Sequence, residues 1–224
     1  MTFSIVARCA DTGMFGVAVS SSSPAVAARC AYARAGAGAV ASQNVTDPTL
    51  GEKVLDLMQR GATAEEAIGI IERTARFIEY RQVLAVDGAG GSAVYSGTHA
   101  LGTVGEAHGE NVASGGNLLA NSSIPQAIVD AFTASTGPLG VRLLTAMQAA
   151  VDAGGEAGPI HSAGMKLVDK VSWPVADLRV DWTESCPVAE LNKLWDIYEP
   201  QLEAYVTRAL NPSDAPSYGV PGDE

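Results

Sequence analysis

Short apolar runs separated by turns fill the first hundred residues, and this pattern predicts β-strands. Runs at 3–8 and 14–20 flank a polar segment at 10–13, which predicts a β-hairpin whose Gly13 can adopt a positive φ. The run at 38–41 contains no polar residue, as is typical of a strand buried on both faces.

Apolar residues at three- and four-residue spacing predict helices in two pairs and once more near the C-terminus. Thr63 and Glu66 predict a capping box, and Ser123 and Gln126 predict a second one. Pro200 is expected to kink the last helix, because proline has no backbone N–H. The helices are expected at 52–60, from 63, from 123, at 138–153 and at 188–209, while 24–34 is either a short helix or a packed loop.

Grouped elements predict the fold class. The remaining strands are expected at 82–86, 92–95, 110–114, 162–168 and 175–180. Strands and helices occur in groups rather than in alternation, which argues against a doubly wound parallel sheet. Doubly buried strands with helix pairs indicate an α+β fold, a four-layer α-β-β-α sandwich. We expect a single domain at 1–210 and a flexible C-terminal tail at 211–224.

Composition and charge exclude several partners. The chain has 224 residues with 25 acidic and 14 basic side chains, a net charge of −11. We expect no nucleic acid and no membrane as partners, because both attract a positive surface. The chain has no apolar run of about 18 residues, no signal-peptide pattern and only three scattered cysteines. These features predict a cytoplasmic protein.

The common catalytic and cofactor motifs are weak in this sequence. His99, His108 and His161 form no metal-binding pair, so neither a metal nor a cofactor is expected. The glycine-rich segment at 87–91 joins two strands, whereas a phosphate cradle requires a helix after it. Ser162 lies in a segment similar to a serine-hydrolase elbow, but a strand is expected where that motif needs a helix.

Thr2 is the best nucleophile candidate. Removal of Met1 would expose an α-amine on a threonine at the head of a buried strand. Such an amine has a pKa of roughly 7.7–8, so an appreciable neutral fraction can deprotonate the threonine's own hydroxyl near pH 7. The alternative is that Thr2 simply starts a strand.

Six successive segments carry a family resemblance. They are TFSIVAR (2–8), GVAVSS (16–21), AGAGAVASQ (35–43), GNLL (116–119), HSA (161–163) and DLRVD (177–181). Together they resemble the bacterial family called domain of unknown function 1028, which is grouped with the N-terminal-nucleophile (Ntn) hydrolase-like superfamily. The resemblance covers about 2–195. It implies the same four-layer sandwich and no known reaction, since the family has no assigned substrate.

The resemblance also suggests which residues surround the nucleophile. Thr2 falls where Ntn hydrolases have their nucleophile, and their reaction needs hydrogen-bond donors for an oxyanion. Asn117, which follows two glycines, and Gln43, at the end of a buried strand, are the candidates for that role.

Three further residues are candidates for substrate binding. Arg8 and Arg81 are cations near predicted strands and can bind a carboxylate with two hydrogen bonds. Asn44 follows Gln43 at the end of the same strand. The chain also departs from the Ntn pattern, because no lysine precedes Lys53 to tune the terminal amine.

Two functional hypotheses therefore stay open. One is a cytoplasmic amidohydrolase that uses Thr2 to cleave a C–N amide bond in a small peptide- or amide-like substrate. The other is a catalytically inactive Ntn scaffold that binds a small molecule or a partner protein. A chain that keeps Met1 supports the second. Trp195, Tyr198 and Tyr205 either form an apolar face for a homodimer or pack on the chain's own sheet.

Overall fold

The computed structural model describes residues 2–222. Met1, whose removal the Thr2 mechanism requires, and the last two residues of the expected tail lie outside the described residues. The elements in chain order are β1 (Thr2–Arg8), β2 (Phe15–Ser21), α1 (Ala27–Cys30), β3 (Ala31–Arg34), β4 (Gly38–Asn44), α2 (Thr49–Gln59), α3 (Ala64–Thr74), β5 (Arg81–Asp87), β6 (Ser92–Ser96), β7 (Gly105–Gly109), β8 (Val112–Asn117), α4 (Ile124–Ala134), α5 (Leu139–Asp152), β9 (Ser162–Val168), β10 (Ala176–Val180), α6 (Pro187–Tyr198) and α7 (Leu202–Leu210).

The strands form two antiparallel sheets within residues 2–222. The larger sheet has six strands in the order β10-β9-β2-β1-β8-β7, and the smaller has four in the order β3-β4-β5-β6. β1 pairs with β2 on one side and with β8 on the other, so it lies in the middle of the larger sheet. The expected mixed α+β class is confirmed.

Side chains of β1 alternate between two apolar clusters. Phe3 and Ile5 pack in a cluster with α4, α5 and α6, whereas Val6 packs in a cluster shared with the smaller sheet. Successive side chains of a strand point to opposite faces. One face of the larger sheet therefore meets helices, and the other meets Ala39, Ala41 and Leu84 of the smaller sheet.

A third apolar cluster covers the other face of the smaller sheet. Val54 of α2 and Ile68 of α3 pack there with Val83 of β5. The first helix pair thus contacts the smaller sheet, while α4 and α5 contact the larger one.

Local signals at the helix ends were partly correct. The capping box predicted at Thr63 is confirmed, since Glu66 N–H donates to Thr63 Oγ1 over 3.2 Å and Thr63 N–H donates to Glu66 Oε2 over 2.9 Å. The box predicted at Ser123 is wrong. Ser123 has helical φ and ψ, and its hydroxyl donates to Asn121 Oδ1 instead. Pro200 does interrupt the last helix, because a 3₁₀ turn at 199–201 separates α6 from α7.

Two strands were not predicted, and β8 extends three residues further than expected. β3 follows the four-residue α1 within the segment that the sequence left open. β7 is an edge strand whose side chains at Glu106 and His108 are largely exposed, so it has no continuous apolar pattern. β8 continues through Gly115 and Gly116 to Asn117, because its backbone pairs with β1 along this whole stretch.

The aromatic residues of the last helices pack mainly on the chain itself. Trp195 is 3% exposed and lies in the cluster with α5. Tyr198 donates its hydroxyl to the Val175 carbonyl over 2.8 Å. Tyr205 stacks on Tyr198 at 5.6 Å between ring centroids and stays partly exposed. The homodimer stays a prediction.

Close packing of α5 on α6 yields a stability prediction. A Cβ placed on Gly140 would lie 2.4 Å from the Trp195 ring, whereas a Cβ on Gly69 of α3 meets nothing closer than 3.4 Å. Gly69→Ala should therefore raise the free energy of unfolding by up to about 1 kcal/mol, because alanine favours helix. Gly140→Ala should lower it by about 1–3 kcal/mol through overpacking. Urea unfolding measures both, and equal effects would contradict this packing.

Candidate active site

One end of the space between the sheets is polar. The alternation that directs Val6 into the apolar cluster puts Thr2 and Ser4 on the same face, towards the head of β1. Neighbouring strands add further polar side chains, all fully buried: Ser21, Gln43, Gln82, Asn117 and Ser162. Buried polar groups need hydrogen-bond partners, so this end of the molecule depends on a network.

Thr2 lies in the middle of a polar row at the sheet's end. It is 5% exposed, and its strand partner in β8 is Asn117. Its hydroxyl donates to Ser21 Oγ of β2 over 3.3 Å, and Ser21 in turn pairs with Ser162 of β9. Two hydroxyls and a carboxamide thus stand side by side across β2, β1 and β8.

Gln82 connects this row to the smaller sheet. Its Nε2 donates to Ser96 Oγ over 2.8 Å and to the carbonyls of Gly116 and Gly105 over 3.2 and 3.3 Å. Its Oε1 accepts from Gln43 Nε2 over 2.8 Å and from Asn117 Nδ2 over 3.3 Å. The carbonyls can only accept, so they fix the orientation of the Gln82 amide and, through it, of the other two amides.

The two predicted oxyanion donors are differently placed. Gln43 accepts from Ser4 Oγ over 2.7 Å and donates through Nε2 to Gln82 Oε1 and to the Gly115 carbonyl. Both N–H groups of its amide are therefore engaged. Asn117 gives one N–H to Gln82, and its Oδ1 is buried with no hydrogen-bond partner among the described residues.

The three predicted substrate-binding residues do not join Thr2. Arg8 is at the other end of β1, about 20 Å away at the usual rise of a strand, and donates to Asn111 Oδ1 over 3.0 Å. Asn44 and Arg81 are strand partners at the end of the smaller sheet. Alternation puts their side chains on the opposite face from Gln43 and Gln82.

The side chains of Asn44 and Arg81 form hydrogen bonds with nearby loops. Asn44 donates to the Tyr80 carbonyl over 2.6 Å and accepts from Leu101 N–H over 3.3 Å. Arg81 donates to the Val45 carbonyl. The structure therefore brings together Thr2, Gln43 and Asn117, but not Arg8, Asn44 and Arg81.

The serine run at 20–23 organises the edge of the site. Ser20 Oγ donates to the Ser162 carbonyl over 3.0 Å, and Ser162 Oγ donates to the Ser23 carbonyl over 2.6 Å. Ser22 N–H reaches both carboxylate oxygens of Glu156, at 3.2 and 3.3 Å. The run thus holds an acid near the row of hydroxyls.

Glu156 is a buried carboxylate in a loop that follows α5. It is 5% exposed. Burial raises the pKa of its carboxyl to about 7, although the charge of the N-terminus, hydrogen bonding by Ser22 and the nearby charge of His161 act in the other direction. A carboxyl that titrates near neutral pH is a candidate for proton transfer.

His161 lies beside the same strand end. Its backbone N–H donates to the Ser21 carbonyl over 2.9 Å, and its ring stacks on Trp182 at 4.2 Å between centroids. Nδ1 is 2.8 Å from the Thr183 carbonyl. A carbonyl only accepts, so Nδ1 carries the hydrogen and Nε2 of a neutral ring is left as an acceptor.

A cavity of about 600 Å³ lies elsewhere. Cys9, Met14, Leu139 and Trp195 are among its lining residues, and it is near the Arg8 end of β1. Among residues 2–222, no group of three or more His, Cys, Asp or Glu is arranged to hold a metal ion. In the same range, no helix is long and apolar enough to cross a bilayer.

Sequence reasoning missed Gln82 and Glu156. Gln82 begins an otherwise apolar strand, and a polar residue at a buried position was a usable signal. Glu156 follows Gly154 and Gly155 in a loop, where an acidic residue carries no distinguishing pattern. Only the folded chain shows that its carboxylate is buried.

Comparisons with known proteins establish the family. The profile of DUF1028, described as a family of unknown function, matches residues 2–191. The chain belongs to this family. It is similar to the crystal structure of a DUF1028 protein from Silicibacter pomeroyi, with 30% sequence identity, a TM-score of 0.81 and 88% of each chain covered. Anbu (ancestral beta-subunit) from Yersinia bercovieri matches at 13% identity and a TM-score of 0.39, over 91% of this chain and 97% of that one. No curated protein matches the chain significantly.

Gln82 gives a prediction about the network. Gln82→Glu replaces the donor that faces two carbonyls with an oxygen and buries a carboxylate, so it should lower the free energy of unfolding by about 3 kcal/mol or more. The matched control is Gln59→Glu on the exposed end of α2, which should stay within about 0.5 kcal/mol of the parent. Chemical unfolding at pH 7.5 measures both. Similar small effects would mean that the network contributes little.

Glu156 gives a prediction about pH. Its pKa is raised from 4.5 to about 7 in the folded chain, so folding favours the protonated carboxyl. Stability is then lost as pH rises from about 4.5 to about 7. In a chain that keeps Met1, Glu156→Gln should have no effect at pH 4.5 and should stabilise by on the order of 3 kcal/mol at pH 8. Urea unfolding across this pH range checks the sign.

Proposed function

We propose that this chain is an Ntn-type amidohydrolase built on a four-layer α-β-β-α sandwich, with Thr2 as its nucleophile. Three apolar clusters support the sandwich, one between the sheets and one on each outer face. The observation that carries the proposal is the position of Thr2. Its hydroxyl contacts Ser21 Oγ at the head of the central strand, with the Asn117 carboxamide on the neighbouring strand.

The reaction needs no cofactor. In a chain that begins at Thr2, the α-amine takes the proton of the hydroxyl, and Oγ1 attacks the carbonyl carbon of an amide. The second N–H of Asn117 Nδ2 donates to the oxyanion. The C–N bond breaks as the ammonium returns its proton to the leaving amine, which leaves an ester on Thr2. Water activated by the same amine then hydrolyses the ester.

The surroundings of Thr2 limit the substrate. Thr2, Gln43 and Asn117 are at most 5% exposed, so little of the site is open to solvent. A small peptide- or amide-like molecule suits such a site better than a folded protein. The free thiols of Cys9, Cys30 and Cys186 suit the reducing cytoplasm.

A binding protein without catalysis is the second candidate, and the cavity at the opposite end of β1 favours it. Its volume of about 600 Å³ falls within the range of small-molecule sites. In that case, Thr2 and its neighbours only hold the sheets together.

Hydrolysis is tested with protein whose N-terminus is defined. Release of the chain from a cleavable fusion immediately before Thr2 provides the free amine without depending on the host. Incubation with a panel of N-acyl amino acids and short peptides, followed by mass spectrometry, should reveal cleavage of a C–N bond and an acyl adduct on Thr2.

Controls separate catalysis from binding. Thr2→Ala should lower the rate by about 100-fold or more, while Thr74→Ala, at the exposed end of α3, should leave the rate unchanged. Ligands that stabilise the protein thermally without turnover, equally in the parent and in Thr2→Ala, would support the binding protein instead.

A further inference from the structure

We propose that Glu156 is the charge partner and positioning residue of the N-terminal α-amine in a chain that begins at Thr2. The inference rests on the proposed function, which requires that amine. It assigns a role to a residue that no sequence motif indicates.

The first argument is the place of Glu156 relative to β1. It accepts from the N–H of Ser22, one residue beyond the end of β2. It also bridges to Leu119, two residues beyond the end of β8. β1 runs between β2 and β8 in the sheet. A residue bound to both of these ends therefore lies across the head of β1, where the backbone nitrogen of Thr2 begins the strand.

The second argument is charge. The Glu156 carboxylate is 5% exposed, and Ser22, its hydrogen-bond donor within residues 2–222, is neutral. None of the ion pairs among those residues includes Glu156. A buried carboxylate without a cation is costly. The charge of the N-terminus is the largest influence that opposes burial on the pKa of this carboxyl, so an ammonium at the head of β1 would supply positive charge next to the buried carboxylate.

The third argument is a second acceptor in the same place. Asn117 is the strand partner of Thr2, and its Oδ1 is buried without a partner among the described residues. The amide cannot simply rotate, because Gln82 Oε1 holds its Nδ2. A primary ammonium has three N–H donors, so one group can bind both the carboxylate and the amide oxygen.

The loop that carries Glu156 is fixed by backbone contacts. Gly154 and Gly155 have φ values of 113° and 58°, which suit glycine, and they end α5. The Gly155 carbonyl accepts from Ala120 N–H over 3.0 Å, and Ala157 N–H donates to the Leu118 carbonyl over 2.9 Å. The carboxylate is therefore held at the strand head by the fold itself.

His161 is the other titratable group that acts on Glu156. Its backbone is bound to Ser21, on the β2 side of the head of β1. A test of the amine must therefore separate the effect of Glu156 from that of His161.

The test compares two forms of the full chain, cleaved from a fusion either before Met1 or before Thr2. The pKa of the Thr2 α-amine is measured by trace acetylation across pH, read by mass spectrometry of the N-terminal peptide. In the parent, Glu156 should hold this pKa above the ordinary range. Glu156→Gln should lower it by about one unit or more. Glu156→Asp should recover part of the shift.

Two variants serve as controls. Glu110→Gln removes an exposed acid in the turn between β7 and β8 and should leave the amine unchanged. His161→Gln should also leave it above the ordinary range. An amine pKa that is equal in the parent and in Glu156→Gln would overturn the proposal.

Stability gives an independent readout. In the Met1 form, Glu156→Gln should raise the urea midpoint at pH 8, because it removes a buried charge. In the Thr2 form it should lower the midpoint, because it removes an ion pair. The same sign in both forms would overturn the proposal.

The outcomes also separate this inference from the proposed function. A shifted amine pKa without hydrolysis of any amide would keep the ion pair and reject the amidohydrolase. Hydrolysis of an amide together with an amine pKa in the ordinary range would keep the amidohydrolase and reject the ion pair.

Discussion

The polar end of the space between the two sheets depends on the hydrogen bonds of the Gln82 amide. The polar side chains between the two sheets are buried, and buried polar groups are stabilised by hydrogen bonds within the protein. Gln82 Nε2 faces two glycine carbonyls, and its Oε1 receives Gln43 and Asn117. Because carbonyls cannot donate, a single orientation satisfies the whole set. That orientation saturates the donors of Gln43 and leaves Asn117 Oδ1 without a partner within residues 2–222.

The head of β1 is polar, although the clusters around it are apolar. Where three strands end, a threonine hydroxyl, a serine hydroxyl and a buried carboxylate lie near an amide oxygen that has no partner among the described residues. In such a low-dielectric place, one positive charge changes the energy of all of them. Cleavage before Thr2 would therefore alter the electrostatics of the site, besides freeing a base.

Much of the fold could be predicted from the sequence, but the site only in part. The sequence predicts the strands β1, β2 and β4 and the capping box at Thr63, because each depends on residues that are close in sequence. The edge strand β7 was not, because half of its side chains face solvent. Thr2, Asn117 and Gln43 were chosen from chemistry and resemblance. Arg8 is a candidate on chemical grounds too, and the structure places it at the opposite end of β1 from Thr2.

The sequence by itself determined the mixed α+β class and the faces of the strands, and it singled out Thr2 as the candidate nucleophile. Periodicity depends on residues that are close in sequence, and composition needs no structure, so both can be obtained from the sequence alone. Tertiary structure alone decided that Gln82 orients the amides and that Glu156 is buried beside the strand head. Both facts arise from contacts between segments far apart in the chain, such as Ser22 and Glu156. Burial, which sets the cost of a charge, exists only once those segments have packed together.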